Sequence, residues 1–328
     1  MRIFFDEMKD IFTDILVRCH FSPEKTERCA TIFASNSLDG VYSHGINRFP
    51  VFIDYVKQGL IHVDAEPELI QQNGSIETWD GHSGPGMYNA SKAMERAIVL
   101  SKSNGIGCVA IRNTNHWMRG GTYGWQAADA GCIGICFTNT IANMPPWGGK
   151  EPRLGNNPLI ISIPRAGGHL VLDMAMSQFS YGKLQEYELK ARKLPVVGGY
   201  DNAGELTDDP SAIVDSRRAL PIGFWKGSGL SFILDVVLTA LTGGQSVSRI
   251  SSSGHETGVS QAFICIYQPS YPSDLIEEII AYTKSGSSVD ASRPVLYPGE
   301  NTLATRRENE MHGIPVDEKI WESIRNML

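Results

Sequence analysis

With 328 residues, 42% of them hydrophobic and 20% charged, the chain has the composition of a folded globular protein large enough for two packed units, which excludes disorder, fibres and residence in a membrane. A net charge of −7, spread along the chain without clustered lysine and arginine, excludes nucleic acid as a partner. The N-terminus turns acidic at Asp6-Glu7 before any apolar stretch forms, and Asp235 interrupts the longest apolar run, Gly229 to Leu241; neither a secretory signal nor a membrane span is expected, which places the protein in the cytoplasm.

In chain order, Ile11, Ile15 and Leu16 recur at helical spacing, and Ser22-Pro23 supplies a capping serine followed by proline at the first position of a second helix. Phe49, Phe52, Ile53 and Val56 share one face of a third helix, with Ser43-His44-Gly45 at its entrance. Asn73-Gly74 joins Glu68 to Gln72 and Ser75 to Asp80 as a hairpin. An alanine-rich helix from Tyr88 to Ser103 follows, then buried strands around Cys108 to Ile111 and Cys132 to Phe137 that flank a short helix. Leu159 to Ile163 and Leu170 to Leu172, joined through Ala166-Gly167-Gly168, pair as a second hairpin, so the sheet is at least partly antiparallel. A helix from Tyr181 to Lys193 leads into an irregular segment ending near Pro210. A long apolar helix from Ser228 to Thr242, a strand from Gln261 to Tyr267, a helix from Leu275 to Thr283, and two last helices separated by Gly313-Ile314-Pro315 complete the chain. Boundaries near 73 and 300 divide it into a mainly helical unit built from both ends, 1–73 and 300–328, and an α/β unit, 74–299.

Gly105-Ile106-Gly107-Cys108-Val109-Ala110 spells the dinucleotide glycine pattern, but it follows a helix and opens a strand, the reverse of the context in which those glycines cradle a pyrophosphate. The six cysteines, Cys19, Cys29, Cys108, Cys132, Cys136 and Cys265, lie mostly in apolar segments without Cys-x-x-Cys spacing, so reduced core thiols and no metal site are expected.

Three polar clusters stand out. Ser43-His44 with Arg48 one turn on offers a titratable proton and a fork for a carboxylate, or else a local cap. Asn115, His116, Arg119 and Tyr123 lie where a buried strand gives way to a helix; Asn113 and Asn115 equally suit a turn. Asp173 interrupts an apolar run and needs a partner: His44, a cofactor hydroxyl, or the start of the helix near Ser180.

Ser43-His44-Gly45-x-x-Arg48, Asn115-His116 with Gly121 and Tyr123, Leu154-Gly155-Asn156-Asn157-Pro158, Asp173-Met174-Ala175 with Gly182-Lys183, and Lys226-Gly227-x-Gly229-Leu230 together resemble the type-2 malate/L-lactate dehydrogenase family over nearly the whole chain. Gly40 to Gly45, Asn115 to Gly121, Met144 to Gly148 and Phe224 to Gly229 are most similar to members that reduce 2-oxo sugar acids. The resemblance implies a mixed α/β fold with a non-Rossmann, largely antiparallel nicotinamide-binding domain, a homodimer, a sugar-acid substrate, and NADH as cofactor with NADPH as the alternative. It implies His44 as proton donor and cofactor contacts at His169, Leu170, Val171, Leu172, Asp173, Met174, Ala175, Trp225, Lys226, Gly299, Glu300 and Asn301. On the chemistry of the residues themselves, Asp173 would raise the His44 pKa, His116 is a further catalytic candidate, and Ser43, Asn115 and Arg48 or Arg119 are candidates for the substrate, with an arginine as the fork for its carboxylate. Met118, Met176, Trp225 and Ser228 replace the family's usual glycine, threonine, histidine and tyrosine, which points away from simple malate or lactate. Relatives that share the clusters extend the alternatives to ureidoglycolate oxidation and cyclic-imine-acid reduction, and a non-catalytic sugar-acid binder is the alternative outside enzymes.

Overall fold

Aromatic packing fixes how the first three helices meet. In the computed structural model, which describes residues 1–290 and 293–328, α1 (Phe5–Arg18), α2 (Pro23–Leu38) and α3 (Phe49–Lys57) enclose Phe12, Phe33 and Phe49. Phe12 stacks on Phe49 at 4.2 Å between centroids, and Phe33 meets Phe49 edge-on at 5.0 Å. Burial stabilises by roughly 1.5–3 kcal/mol for each such ring. Ser22 caps α2 by accepting from the Lys25 N–H, with Pro23 in the first turn, as the sequence predicts.

The sheet follows. β1 (Glu68–Asn73) and β2 (Ile76–Asp80) form the first hairpin; Asn73 pairs with Ile76, so Gly74-Ser75 makes the turn, one residue later than expected. α4 (Gly86–Asn104) carries the chain to β3 (Ile106–Asn115), which runs parallel to β2. After α5 (Gly121–Asp129) come β4 (Cys132–Thr138), β5 (Leu159–Ile163) and β6 (Leu170–Met174); α6 (Tyr181–Leu189), α7 (Pro210–Ser216), α8 (Trp225–Thr242) and α9 (Val247–Ser252) precede β7 (Thr257–Tyr267). β7 enters the middle of the sheet, giving the order β1-β2-β3-β7-β4-β5-β6, antiparallel at every pairing except β2 with β3. The fold is therefore mixed α/β with a largely antiparallel sheet. Gly105 ends α4 and Gly107 already lies in β3, so the glycine pattern stands at no helix N-terminus.

Two expectations shift. β6 runs two residues further than predicted and takes Asp173 into the sheet opposite Ile160. The irregular stretch before Pro210 contains a two-residue-per-strand hairpin, Gly199–Tyr200 with Leu206–Thr207, and Asp209 caps α7 through the Ser211 N–H. Both are local polar arrangements without hydrophobic period, which is why periodicity passes over them.

α10 (Ser273–Lys284), α11 (Glu300–His312) and α12 (Glu318–Arg325) complete the chain. Arg2–Ile3 pairs antiparallel with Ile314–Pro315, and Ile314, Trp321 and Ile324 enter the same core as Phe12 and Phe33. β1, which a boundary at 73 gives to the helical unit, is an edge strand of the sheet. All six cysteines are free thiols. Among the described residues, no helix is long and apolar enough to cross a membrane.

Candidate active site

His44 ends a short 3-10 turn, Tyr42–His44, between α2 and α3. The turn is clamped to α2: the Asn36 amide donates to the His44 carbonyl at 2.9 Å, and Ser37 Oγ accepts from the Ile46 N–H at 2.8 Å. Ser43 Oγ lies 2.9 Å from His44 Nδ1, so a donating hydroxyl leaves the ring proton on Nε2. His116 follows the end of β3 and stacks on His44, with centroids 5.6 Å apart and planes 20° apart. Its Nδ1 accepts from the Met118 N–H at 3.0 Å. That bond needs the tight turn in which Met118 takes φ 65°, a left-handed conformation that glycine adopts more easily.

Burial drives the His44 pKa down to about 3; His116 adds to the fall, Asp173 opposes it, and Arg48 and Arg119 lower it further. His116 is likewise held near about 3 by burial and then by Arg48. This corrects the expectation that Asp173 holds His44 protonated: its pull is present but outweighed, and His44 is neutral in the ligand-free protein.

The reason lies in what Asp173 does instead. Its Oδ2 accepts from the Gly121 N–H at 3.0 Å and from Arg119 Nε at 3.3 Å. A Cβ on Gly121 would fall 2.5 Å from that same oxygen, so only glycine lets the start of α5 approach. Arg119, 5% exposed, also gives Nη1 to Asp39 at 2.5 Å, and Asp39, 4% exposed, is held by Arg306 at 2.6 Å as well. Arg119 is thus committed to two internal carboxylates. Arg48 is 32% exposed and forms a loose ion pair with Glu256 at 4.0 Å.

These groups meet in a cleft of about 940 Å³ that brings together Ser43, His44, Arg48, His116 and Arg119 from one side and Val171, Leu172, Asp173, Ala175 and Gly299 from the other. The two cofactor segments expected from sequence adjoin: the Val171 N–H donates to the Pro298 carbonyl at 2.9 Å. Other expected residues lie elsewhere. Asn115 is buried, its amide donating to the carbonyls of Leu60, Ser83 and Gly84, so it ties loops together beneath the cleft. His169 pairs with Asp129 at 2.9 Å and lines a separate cavity of about 370 Å³ with Arg165, Tyr271 and Glu277. Leu170, Met174 and Asn301 lie outside the cleft lining, and Glu300 is engaged by Lys284 and by the Tyr297 N–H. Trp225, 65% exposed, and Lys226 open α8 outside the lining too. Among the described residues, no group of three His, Cys, Asp or Glu gathers to hold a metal.

A family model described as malate/L-lactate dehydrogenase matches residues 3–325. The chain belongs to the malate/L-lactate dehydrogenase family. It is 45% identical to 2,3-diketo-L-gulonate reductase of Escherichia coli (strain K12), over 99% of each chain. Among solved structures, sulfolactate dehydrogenase from Methanocaldococcus jannaschii superposes with a TM-score of 0.90 at 28% identity, covering 100% of this chain and 96% of that one. Delta1-piperideine-2-carboxylate reductase from Pseudomonas syringae gives 0.88 at 25% identity, covering 100% of both. The protein is a hydroxy-acid dehydrogenase, and its family implies a nicotinamide cofactor.

The residues of this dehydrogenase fit such a group. β6 is an edge strand whose open side is covered at Val171 by the Pro298 carbonyl and presents backbone groups beyond it, and Val171, Leu172 and Pro298 add an apolar wall. Gly182, at the start of α6, approaches Ser43 so closely that a Cβ would lie 2.6 Å from its side chain; this closes the cleft over the histidine turn. Tyr181 beside it donates to the Asn143 carbonyl at 2.9 Å, and burial pushes its phenol up to about 12. Sequence reasoning missed Tyr181, Thr140, Asn143 and Glu256, all of which line the cleft. Glu256 precedes an apolar strand in a polar loop, where nothing in the local pattern separates it from a solvated acid.

Proposed function

We propose that the protein reduces the C2 ketone of a 2-oxo sugar acid, with 2,3-diketo-L-gulonate to 3-keto-L-gulonate as the preferred conversion and NADH as the cofactor. The observation that carries this reading is the His44–His116 stack, with Ser43 on one ring nitrogen and Arg48 alongside, in a cleft of a hydroxy-acid dehydrogenase. Bound nicotinamide would supply the hydride, held by Val171 to Ala175 and by the neighbouring Gly299 segment.

The chain's own residues do the rest. Arg48 takes the substrate carboxylate, because Arg119 is already spent on Asp39 and Asp173. An anion beside Arg48 offsets one of the charges that depress His44, so proton uptake by His44 accompanies substrate binding. Protonated His44 then gives its Nε2 proton to the developing alkoxide; in the reverse direction the neutral ring accepts the hydroxyl proton. Positioned proton transfer of this kind contributes roughly 10²- to 10⁴-fold. A homodimer also belongs to this reading: α8 turns Leu230, Phe232, Ile233 and Val236 to solvent, an apolar face that a lone chain leaves uncovered.

The test is NADH and NADPH consumption against 2,3-diketo-L-gulonate, pyruvate, oxaloacetate and a cyclic imine acid, repeated with His44→Gln. Turnover of the diketo sugar acid that vanishes in the variant, with NADH binding retained, supports the proposal; turnover that survives removes His44 from it.

A further inference from the structure

One wall of the cleft is rich in hydrogen-bond acceptors that the protein leaves only partly satisfied. Glu256 stands just ahead of β7, whose first residues break register between Thr257 and Val259 and again between Val259 and Gln261. Its side chain is 15% exposed, with Oε2 4.0 Å from Arg48 and Oε1 accepting from the Ile141 N–H at 3.3 Å. Burial pushes this carboxyl's pKa up, while Arg48 and the Ile141 N–H draw it down. The loop opposite is pinned to the same segment, since the Ala142 N–H donates to Ser251 Oγ at 2.9 Å.

On that loop Asn143 donates its amide N–H to Asn156 Oδ1 at 3.1 Å, which leaves Asn143 Oδ1 buried with no hydrogen-bond partner among the described residues. Asn156 Oδ1 already accepts from Thr140 Oγ1 at 3.1 Å as well, so the amide orientations are consistent with one another. An orphaned buried acceptor is costly, and a ligand hydroxyl satisfies it where a carboxylate, having no proton to give, does not.

We infer that Glu256 and Asn143 form a specificity subsite that accepts the hydroxyl-bearing tail of the substrate and rejects a second carboxylate. This deepens, and rests on, the proposed reduction of a 2-oxo sugar acid. Arg48 is within electrostatic reach of both the histidine pair and Glu256, so the subsite adjoins the reacting end. A tail of neutral hydroxyls donates to Glu256 and to Asn143 Oδ1. A dicarboxylic substrate such as oxaloacetate brings a second anion against a buried carboxyl and leaves the Asn143 acceptor empty, which is discrimination by repulsion as well as by attraction.

The experiment compares the full-length protein with Glu256→Gln in two ways. Calorimetric titration with L-gulonate and with L-malate, in the presence of NADH, reads the subsite without turnover. The wild type binds gulonate more tightly, and the variant loses about tenfold or more of that preference, the scale of one hydrogen bond to a charged group. Where turnover is measurable, the kcat/KM ratio of 2,3-diketo-L-gulonate over oxaloacetate falls in parallel. An unchanged preference overturns the inference, and so does an equal loss for both acids, which would make Glu256 a support for Arg48. Failure of every 2-oxo acid to turn over defeats the proposed reaction alone, because the titration still decides the subsite. Asn143→Asp, which keeps the size and adds a charge, strengthens the rejection of malate if the subsite is as described.

Discussion

The imidazoles of His44 and His116 lie face to face, 5.6 Å between centroids and 20° between planes, so that whichever ring takes a proton does so against its neighbour. Burial adds to that opposition, and His44 sits at about 3 in the ligand-free protein. The pH dependence of kcat/KM reports the free enzyme. For reduction, the acid form of His44 is scarce throughout the neutral range, so kcat/KM should fall about tenfold per pH unit from about pH 5 to about pH 8. For oxidation, the neutral base is already in place and the profile is flat over that range. A reductive plateau that bends near the ordinary histidine value of 6.5 would show that His44 is not desolvated. Stability has its own sign. Both histidines titrate lower in the folded chain than when unfolded, so their contribution is whole above about pH 6.5 and is lost progressively as pH falls toward 3. Melting temperature followed through that window should drop less in His44→Gln.

Arg119 separates two roles that its position in the sequence left joined. It bridges Asp39, at the end of α2, to Asp173 on β6 while 5% exposed. Arg119→Met leaves Asp39 with Arg306 and Asp173 with the Gly121 N–H, and should lower unfolding stability by about 3 kcal/mol, the cost of breaking a buried pair. Urea denaturation reads this. An unchanged midpoint together with a large rise in KM would instead make Arg119 the carboxylate fork.

The apolar face of α8 predicts assembly. Phe232, 57% exposed, stands among Leu230, Ile233 and Val236. Phe232→Asp places a charge where the dimer reading puts an interface, and should shift the protein toward monomer in light scattering at micromolar concentration, with the fold intact by circular dichroism. A wild-type protein that is already monomeric at that concentration removes the dimer from the proposed function.

Local pattern made much of this protein legible. The phenylalanines of α3, the capping Ser22-Pro23, the alanine-rich α4 and the glycine-centred hairpins follow from period and turn chemistry, which depend on residues close together in the chain. The inverted context of Gly105 and Gly107 likewise excluded a Rossmann cradle before any coordinates. The polar clusters at 43–48, 115–123 and 173 marked three corners of the cleft, because charged and imidazole groups in apolar surroundings need a reason to be there.

Tertiary structure decided the rest, and for one physical reason: a charged group's partners and its desolvation are set by residues distant in sequence. Asp173 faces Arg119 and Gly121 across more than fifty positions, and its pull on His44 is outweighed by burial and His116, which both lower that pKa. Asn115, expected at the substrate or in a turn, is a buried tie between loops, while Glu256, which the sequence pattern did not single out, lines the cleft beside Arg48. The sequence by itself determined the elements, the family likeness and which residue types hold the chemistry. Only the folded chain determined which arginine is available, that both histidines are neutral and which acid faces the cleft, because each of those is a distance or a burial that no local pattern encodes.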